Sequence, residues 1–453
     1  MRKKVLCTIL LVFALLVQLC SCASSVPKTH AAASNDESGA VQEEKKDTSE
    51  NDVKEEEPLF TLTEDMPVIL VDDENFKTET TIKEYVKQGL GIPVQVIALS
   101  KYGDEREAQI SALRTEIMAG GGPDAFILTS GTEDKLWFDD GSTKIPFFKN
   151  PEKTMRSGIF LPLDDLIAQS ELLNPEEHYE IIMDAGKTEE GQMILPLLYS
   201  CPAYFVYEKD LNDPDIELNT WDDYLHCDDV KVLDHVKRRF SERFGDQYTD
   251  FADYENETFL VAPETLKQDC KALYEIPQSA GGAIGAPDFE EVYSDFSLTQ
   301  IRCESEAVSV LTVPNDTGGL TAKVTAYAAI NRNTEYAEEV FRFIELLFCE
   351  NVQTNRDEFS VGAKKYSIAR PSEMMVGADG GIVTHKNAYM DEENALIAEL
   401  NSKINSVRFA SDIDRVMMNL CLDATVYAEN PDDAYFEEIA EKAHSEIQMI
   451  LAE

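Results

Sequence analysis

Residues 67–128 alternate between short apolar runs and amphipathic stretches, and this alternation constrains the fold more than any other feature of the sequence. Three apolar runs predict buried strands, at residues 67–71, 93–99 and 125–128. Two amphipathic stretches between them predict helices, one ending at Gly89 and one over 105–119. Strands that alternate with helices form parallel sheets with right-handed crossovers, so we predict an α/β fold.

Short polar side chains follow the predicted strands. They are Asp72, Asp73, Ser100, Tyr102, Thr129 and Ser130. In open α/β sheets the ligand crevice lies beyond the carboxyl ends of the strands. Helix capping explains any one of these residues as well as ligand contact does. As a group they converge on one rim, which favours contact, and we take Asp72, Asp73, Thr129 and Ser130 as candidate ligand-binding residues.

The N-terminus has the pattern of an export signal. A basic flank precedes an apolar run over 5–19. This run is too short for a membrane-spanning helix, which needs about 20 apolar residues. The sequence Leu19-Cys20-Ser21-Cys22 resembles a bacterial lipobox, whose last cysteine receives a diacylglyceryl group and becomes the new N-terminus. We therefore predict a signal peptide over 1–21 and lipid attachment at Cys22. A conventional cleaved signal ending near Ala23 is the alternative.

Composition limits the partners. Residues 22–60 are mostly small, polar or charged, which predicts a disordered acidic tether between the anchor and a folded body. The formal net charge of −46 argues against nucleic acid and against adsorption to anionic lipid. We thus expect membrane contact through the lipid anchor only.

The body contains six cysteines without the spacing of a zinc site: Cys201, Cys227, Cys270, Cys303, Cys349 and Cys421. Most lie in apolar patterns and are interpreted as buried small hydrophobic residues. Pairing of some of them after export is left open by the sequence.

Several segments occur in an order that resembles one family. They are residues 113–128 (LRTEIMAGGGPDAFIL), 160–167 (FLPLDDLI), 191–196 (GQMILP), 207–211 (YEKDL), 220–223 (TWDD), 308–314 and 327–343 (YAAINRNTEYAEEVFRF). Together they resemble the extracellular solute-binding proteins of bacterial ABC importers, in the carbohydrate-type group that includes maltose-binding protein. The resemblance covers most of residues 67–450 but is weak over 226–300, where the Gly- and Trp-containing binding segment of that family is missing.

The resemblance implies a type II fold with two α/β lobes. Each lobe has a mixed, mostly parallel sheet flanked by helices, and crossing strands form a hinge beside the ligand cleft. It implies lobe 1 at 61–199 plus 314–370 and lobe 2 at 200–313 plus 371–453. Tyr199 and Ser200 fall where the first crossing strand meets the cleft and become ligand candidates. The resemblance also implies a carbohydrate ligand, an ABC permease as partner, a monomer, no cofactor, and a position on the outer face of the bacterial cytoplasmic membrane.

The two tryptophans are weighed as platforms for a sugar ring. Thr220 and Asp223 have the spacing of a helix capping box, which makes the neighbouring Trp221 structural. Trp137 follows the third strand, where a ligand platform and a loop anchor are equally plausible. Trp137 is retained as a candidate ligand-binding residue.

Other functions are weighed against solute binding. The sequence lacks a Gly-x-Ser-x-Gly elbow and a His-Glu-x-x-His motif, so we expect no enzyme, with a surface hydrolase as the weakest alternative. His226 and His235 are not spaced to share one helical face, so we expect no metal site. An orphan receptor that presents its ligand to a sensor, and a polyamine or cation binder of the same fold, remain as alternatives.

Overall fold

The computed structural model describes residues 66–72, 94–100, 103–131, 144–170, 172–207, 218, 220, 223–224, 227, 232, 240–276, 290–293, 308–348, 373–376, 382–385 and 398–453. Among the helices of these segments, none is both long and apolar enough to cross a membrane. The predicted signal peptide, Cys22, the tether and the helix ending at Gly89 lie outside the described residues.

The strands, in chain order, are β1 Val68–Val71, β2 Gln95–Ala98, β3 Ala125–Thr129, β4 Lys187–Thr188, β5 Gly191–Gln192, β6 Ile194–Tyr207, β7 Ala252–Asp253, β8 Thr258–Phe259, β9 Glu290–Tyr293, β10 Val308–Thr312, β11 Leu320–Ile330, β12 Glu373–Val376, β13 Ile382–His385 and β14 Ile404–Phe409. The α-helices are α1 Gly103–Met118, α2 Pro151–Arg156, α3 Asp164–Gln169, α4 Glu180–Asp184, α5 Pro263–Glu275, α6 Ala337–Leu346, α7 Asp412–Thr425 and α8 Asp433–Ala452. Among the described residues, 3₁₀ helices span Pro175–Glu177 and Phe240–Gln247.

The three predicted strands form a parallel group within a mixed sheet. β1 lies between β2 and β3 and pairs with both in parallel. α1 connects β2 to β3 and buries Ile110, Leu113 and Ile117, the stripe expected from helical spacing. Gly122 then turns the chain with φ +88°, where an added Cβ would lie 2.8 Å from the Ile117 side chain. The predicted order of strands and the second helix are therefore confirmed.

Two long strands form the centre of the antiparallel part of the same sheet. β6 and β11 pair with each other, and the full order is β10-β6-β11-β3-β1-β2, with β9 on β6 and β14 on β11. The C-terminal half of β11 pairs with β3, whereas its N-terminal half pairs in parallel with β14. β11 is buried along nearly its whole length, as expected of a strand covered on both faces. The predicted mixed sheet with long crossing strands is confirmed.

Buried apolar side chains form two separate cores. The first draws on residues 68–201 and 320–348, together with Leu400, Ile404 and Phe409. The second draws on 218–276 and 413–451, together with Val313. Residues 400–409 pack with the first core because β14 joins the sheet beside β11, although our predicted boundary assigned all residues from 371 onward to lobe 2. The precise lobe limits stay a prediction.

Smaller local predictions are also confirmed. Thr220 N donates to Asp223 Oδ2 at 2.7 Å, and Asp223 N donates to Thr220 Oγ1 at 3.2 Å, which is the reciprocal capping box. The apolar stripe that follows Thr334 forms the buried face of α6. Cys201, Cys270 and Cys421 are buried as predicted, while Cys303, Cys349, His226 and His235 lie outside the described residues.

Candidate functional site

The described members of the predicted ligand set lie on neighbouring strands of the sheet. Thr129 Oγ1 donates to Asp72 Oδ2 at 2.9 Å, which joins the ends of β3 and β1. Ser130 Oγ donates to the carbonyl of Val324 on β11 at 2.6 Å. On β6, Tyr199 pairs with Val324, and Ser200 pairs with the preceding residue of β11. The five described candidates therefore lie side by side on adjoining strands of the sheet. Asp73 and Trp137 lie outside the described residues.

Asp72 is the centre of a buried ionic group. Its carboxylate accepts two hydrogen bonds from the Arg106 guanidinium, at 3.1 and 2.7 Å, and Lys144 Nζ lies 3.6 Å away. Asp72 is 1% exposed and Arg106 is fully buried. Arg106 also donates to the carbonyls of Ser100 and Ile145, so three chain segments meet at one guanidinium. Such a bidentate pair holds the rim in one geometry.

Tyr199 also points its polar atom into the protein. Its hydroxyl donates to Asn401 Oδ1 at 2.6 Å, and the residue is 3% exposed. Burial raises the pKa of the Tyr199 hydroxyl well above its ordinary value, and the nearby Cys201 and Tyr179 raise it further. The side chain therefore remains a neutral hydrogen-bond donor.

Ser200 belongs to a row of polar residues that crosses three strands. In the sheet register Lys323 of β11 lies opposite Ser200 of β6 on one side and opposite Arg408 of β14 on the other. Ser200 Oγ accepts from Arg243 Nη2 at 2.8 Å, and Arg243 lies in the 3₁₀ helix beside the second core. The row thus joins the sheet to residues that pack with the other core.

Two carboxylates complete this row into a buried ion cluster, which consists of Arg243, Asp246, Lys323, Arg408 and Asp414. Asp246 Oδ2 lies 2.8 Å from Arg243 Nη1, and its other oxygen binds Arg408. Asp414 Oδ1 lies 2.9 Å from Lys323 Nζ and 2.5 Å from Arg408 Nη2. The cluster connects β11 and β14 with the 3₁₀ helix and α7.

The electrostatics of this ion cluster favour its charged form. Burial opposes ionisation of Asp414, but Arg408 and Lys323 outweigh burial and bring the pKa of that carboxyl well below its ordinary value. Burial likewise opposes the charge on Arg408, yet Asp414 and Asp246 raise the pKa of its guanidinium. The cluster is therefore an ionised link between the sheet and the helices of the second core.

Glu152, in contrast to Asp414, has a pKa above its ordinary value. This residue of α2 is buried, and its Oε1 accepts from Phe409 N at 2.7 Å. Burial raises the pKa of the Glu152 carboxyl to about 7, and the hydrogen bond from Phe409 and the charge of Arg408 offset only part of this effect. Among the described residues, Glu152 Oε2 has no hydrogen-bond partner.

Arg106, Arg243, Lys323 and Arg408 were not among our predicted site residues. A signal for Arg106 was present, because Arg106, Ile110 and Leu113 fall on one helical face. Lys323 lies within a mostly apolar strand and Arg408 lies between Val407 and Phe409, and a buried charge in such a position needs a partner. Within the described segments, no group of three or more His, Cys, Asp and Glu side chains is arranged to hold a metal ion.

Comparison with known proteins places this geometry in a known fold. No family model matches the sequence, and no curated protein matches it. A solved extracellular solute-binding protein of family 1 from Alicyclobacillus acidocaldarius superposes with a TM-score of 0.55 at 13% identity, over 86% of this chain and 98% of that one. The chain has the type II fold of the extracellular solute-binding proteins.

Two further solved structures agree with this assignment of the fold. The sugar-binding protein MalE from Xanthomonas citri gives a TM-score of 0.54 at 11% identity, over 85% of this chain and 97% of its own. The cyclic alpha-maltosyl-1,6-maltose binding protein from Arthrobacter globiformis gives 0.52 at 12% identity, over 84% and 98%. In this fold, the ion cluster links strands that pack with the first core to helices of the second.

Proposed function

We propose that this chain captures a carbohydrate between its two lobes and delivers it to an ABC permease, while a lipid on Cys22 holds it on the outer face of the membrane. The observation that carries the proposal is the near-complete overlap with solute-binding proteins, at 84–86% of this chain and 97–98% of the three structures compared. Two of those three proteins are named as sugar-binding proteins, one in general terms and one for a cyclic maltoside. The export-like N-terminus agrees with a protein that meets its solute outside the cell.

The seven predicted residues remain our candidates for the ligand site, and we propose two roles for them. Asp72, Thr129, Ser130, Tyr199 and Ser200 are each at most 8% exposed and have internal hydrogen-bond partners, which suits residues that hold the rim in position. Direct contact with the sugar is then assigned to Asp73 and Trp137. A carboxylate can accept hydrogen bonds from sugar hydroxyls, and an indole can cover the apolar face of a ring.

A ligand screen tests the binding function. The mature chain is mixed with neutral oligosaccharides, acidic oligosaccharides and polyamines, and the melting temperature is recorded for each. We expect at least one carbohydrate to raise the melting temperature and to be recovered unchanged, because a ligand that binds only the folded state stabilises it. Stabilisation by a polyamine alone would favour the cation-binding alternative, and hydrolysis of the sugar would favour an enzyme.

Site variants then test the assignment of contacts. Asp73→Ala should weaken binding of the best carbohydrate about tenfold or more in calorimetry, since a charged hydrogen bond is worth about 1.5–3 kcal/mol. Trp137→Ala should also weaken binding, because the apolar face of the sugar ring loses its aromatic cover. Thr115→Ala, an exposed change on α1, serves as the control. Unchanged affinity in both site variants would place the sugar elsewhere.

Attachment to the membrane has its own test. Replacing Cys22 by Ala should release the protein into the medium or leave the signal peptide uncleaved, because the lipid-bearing side chain is lost. Fractionation and mass spectrometry of the N-terminus provide the measurement, with Cys20→Ala as the matched control. A Cys22→Ala protein that stays on the membrane with an unchanged N-terminus would contradict the proposal.

A further inference from the structure

The short helix α2 contacts both cores. Met155 on one face is buried in the first core. Lys153 on another face donates to the carbonyl of Leu451 at 2.9 Å and pairs with Glu257 at 2.8 Å, and Leu451 is buried in the second core. Asn150 caps the helix by accepting from Lys153 N at 3.0 Å. α2 is therefore a connection between the cores additional to the strands of the sheet.

Glu152 lies on the inward side of this connection. Although it is a glutamate in the first turn of a helix, where side chains are commonly solvated, it is only 7% exposed. Its carboxylate accepts a hydrogen bond from Phe409 N, the backbone amide next to Arg408 of the ion cluster. The Glu152 carboxyl therefore contacts the end of β14, shortly before α7 begins.

The titratable and charged groups around Glu152 come from every neighbouring element. Arg408 of β14 and Asp414 of α7 act on its carboxyl from the ion cluster. Tyr327 of β11, which is buried, and Tyr254, a half-buried residue between β7 and β8, are in electrostatic contact with it. Arg156, on the same helix, donates to the Glu152 carbonyl. Arg408, the cation that acts on the carboxyl, is already bound by Asp246 and Asp414 and so compensates the charge of Glu152 only in part.

We propose that Glu152 couples the docking of α2, and with it the arrangement of the two lobes, to pH. Protonated Glu152 keeps α2 seated against the end of β14, whereas the ionised carboxylate is stable only when it reaches water, which requires α2 to separate from β14. The docking equilibrium can be measured without any ligand, and its consequence for solute capture rests on the proposed function.

The direction and size of the effect follow from linkage. In the docked arrangement burial raises the pKa of Glu152 to about 7, while a solvated glutamate has a pKa of about 4.3. The docked form therefore binds the proton more tightly and is favoured as pH falls. Between pH 6 and pH 8 the ratio of docked to undocked molecules should fall about tenfold, because the proton stabilises only the docked form over that range.

Hydrogen exchange followed by mass spectrometry tests the proposal on the mature protein without ligand. The readout is the protection factor of peptides covering 148–157 and 404–412, corrected for the intrinsic dependence of exchange on pH. In the wild type, protection of both peptides should fall about tenfold between pH 6 and pH 8. Glu152→Gln keeps an oxygen for Phe409 N but has no charge to gain, so its protection should not vary over this range.

Glu338→Gln is the matched control, since Glu338 is also in the first turn of a helix but is exposed. This variant should follow the wild type. The proposal is overturned if wild-type protection is constant with pH, or if Glu152→Gln loses protection as the wild type does. If Glu152→Gln folds poorly, the pH dependence of protection in the wild type decides the proposal by itself. Failure to find a sugar ligand would not affect the proposal, because the exchange experiment uses no ligand.

Discussion

The charge of Asp72 is matched inside the protein by Arg106, whose guanidinium donates to both carboxylate oxygens. Thr129 donates to the same carboxylate, so three polar side chains are stabilised by one another at the ends of β1 and β3. Removal of one partner from such a buried pair leaves an uncompensated charge, which costs more than the pair itself contributes. Asp72 therefore stabilises the arrangement of the ends of β1 and β3.

Asp72→Ala should lower the free energy of unfolding by about 3–5 kcal/mol, because Arg106 would remain buried without its carboxylate. Urea denaturation followed by circular dichroism measures the change. Lys403→Ala is the control, since Lys403 pairs with Glu399 at 3.0 Å on the surface and such pairs contribute about 0–1 kcal/mol. A loss below 1 kcal/mol in Asp72→Ala would show that this carboxylate is not structural and is available to a ligand.

Glu152 gives the stability of the whole protein a defined dependence on pH. Its pKa is about 7 in the folded chain, above that of an unfolded glutamate, so the folded state binds the proton more tightly. This contribution is fully present below the unfolded pKa and is lost as pH rises through 7. Urea titrations should show Glu152→Gln gaining on the wild type by up to about 3 kcal/mol between pH 5 and pH 8. A constant difference between the two proteins over that range would contradict the assignment.

Residue types alone predicted part of this chemistry. Polar groups after β1 and β3 could be located because strand ends follow from hydrophobic runs, and Asp72 and Thr129 do meet there. The partners could not be chosen from the sequence, since Arg106 comes from a helix and Lys144 from a later segment. Which carboxylates lie inside the protein depends on tertiary packing, so Asp72 and Asp73 could not be distinguished from the sequence.

At the scale of elements, α7 begins at a point where capping and ion pairing share one side chain. Asp414 accepts from Ser411 N at 2.8 Å within a capping box and also binds Lys323 and Arg408. Ile413 and Val416, just inside the helix, belong to the second core. The start of α7 therefore fixes that core to the strands β11 and β14.

Two substitutions separate these roles. Ser411→Ala removes the cap alone and should cost about 1 kcal/mol. Asp414→Ala removes the cap and also leaves Lys323 and Arg408 short of a counter-charge, so it should cost about 3–5 kcal/mol. Chemical denaturation of both variants measures the two values. Equal losses would mean that the ion cluster adds nothing beyond capping.

Elements with strong local patterns were predictable, and those built by distant pairing were not. The stripe of α1 and the capping box at Thr220 depend on residues within one or two turns, so the sequence contains them in full. Along β11, the pairing partner changes from β14 to β3, and these two strands are far apart in the chain. Nothing local in residues 404–409 indicates that they pair with β11, so this pairing could not be predicted from the sequence.

At the scale of the molecule, the two apolar cores are linked by the sheet, the ion cluster and α2. The strands β6 and β11 link the cores through continuous backbone, whereas the ion cluster and α2 link them through polar contacts of side chains. A ligand shifts the balance between two arrangements of lobes only through contacts that it makes better in one of them. A sugar held between the lobes should therefore change their arrangement when it binds.

Small-angle scattering of the mature protein, with and without a saturating carbohydrate found in the screen, tests this account most directly. We predict that the sugar lowers the radius of gyration of the wild type, and that Trp137→Ala at the same sugar concentration shows a smaller decrease because less sugar is bound. A sugar that binds tightly yet leaves the radius of gyration unchanged, or a complete lack of carbohydrate binding, would contradict the claim that this chain closes its lobes around a sugar.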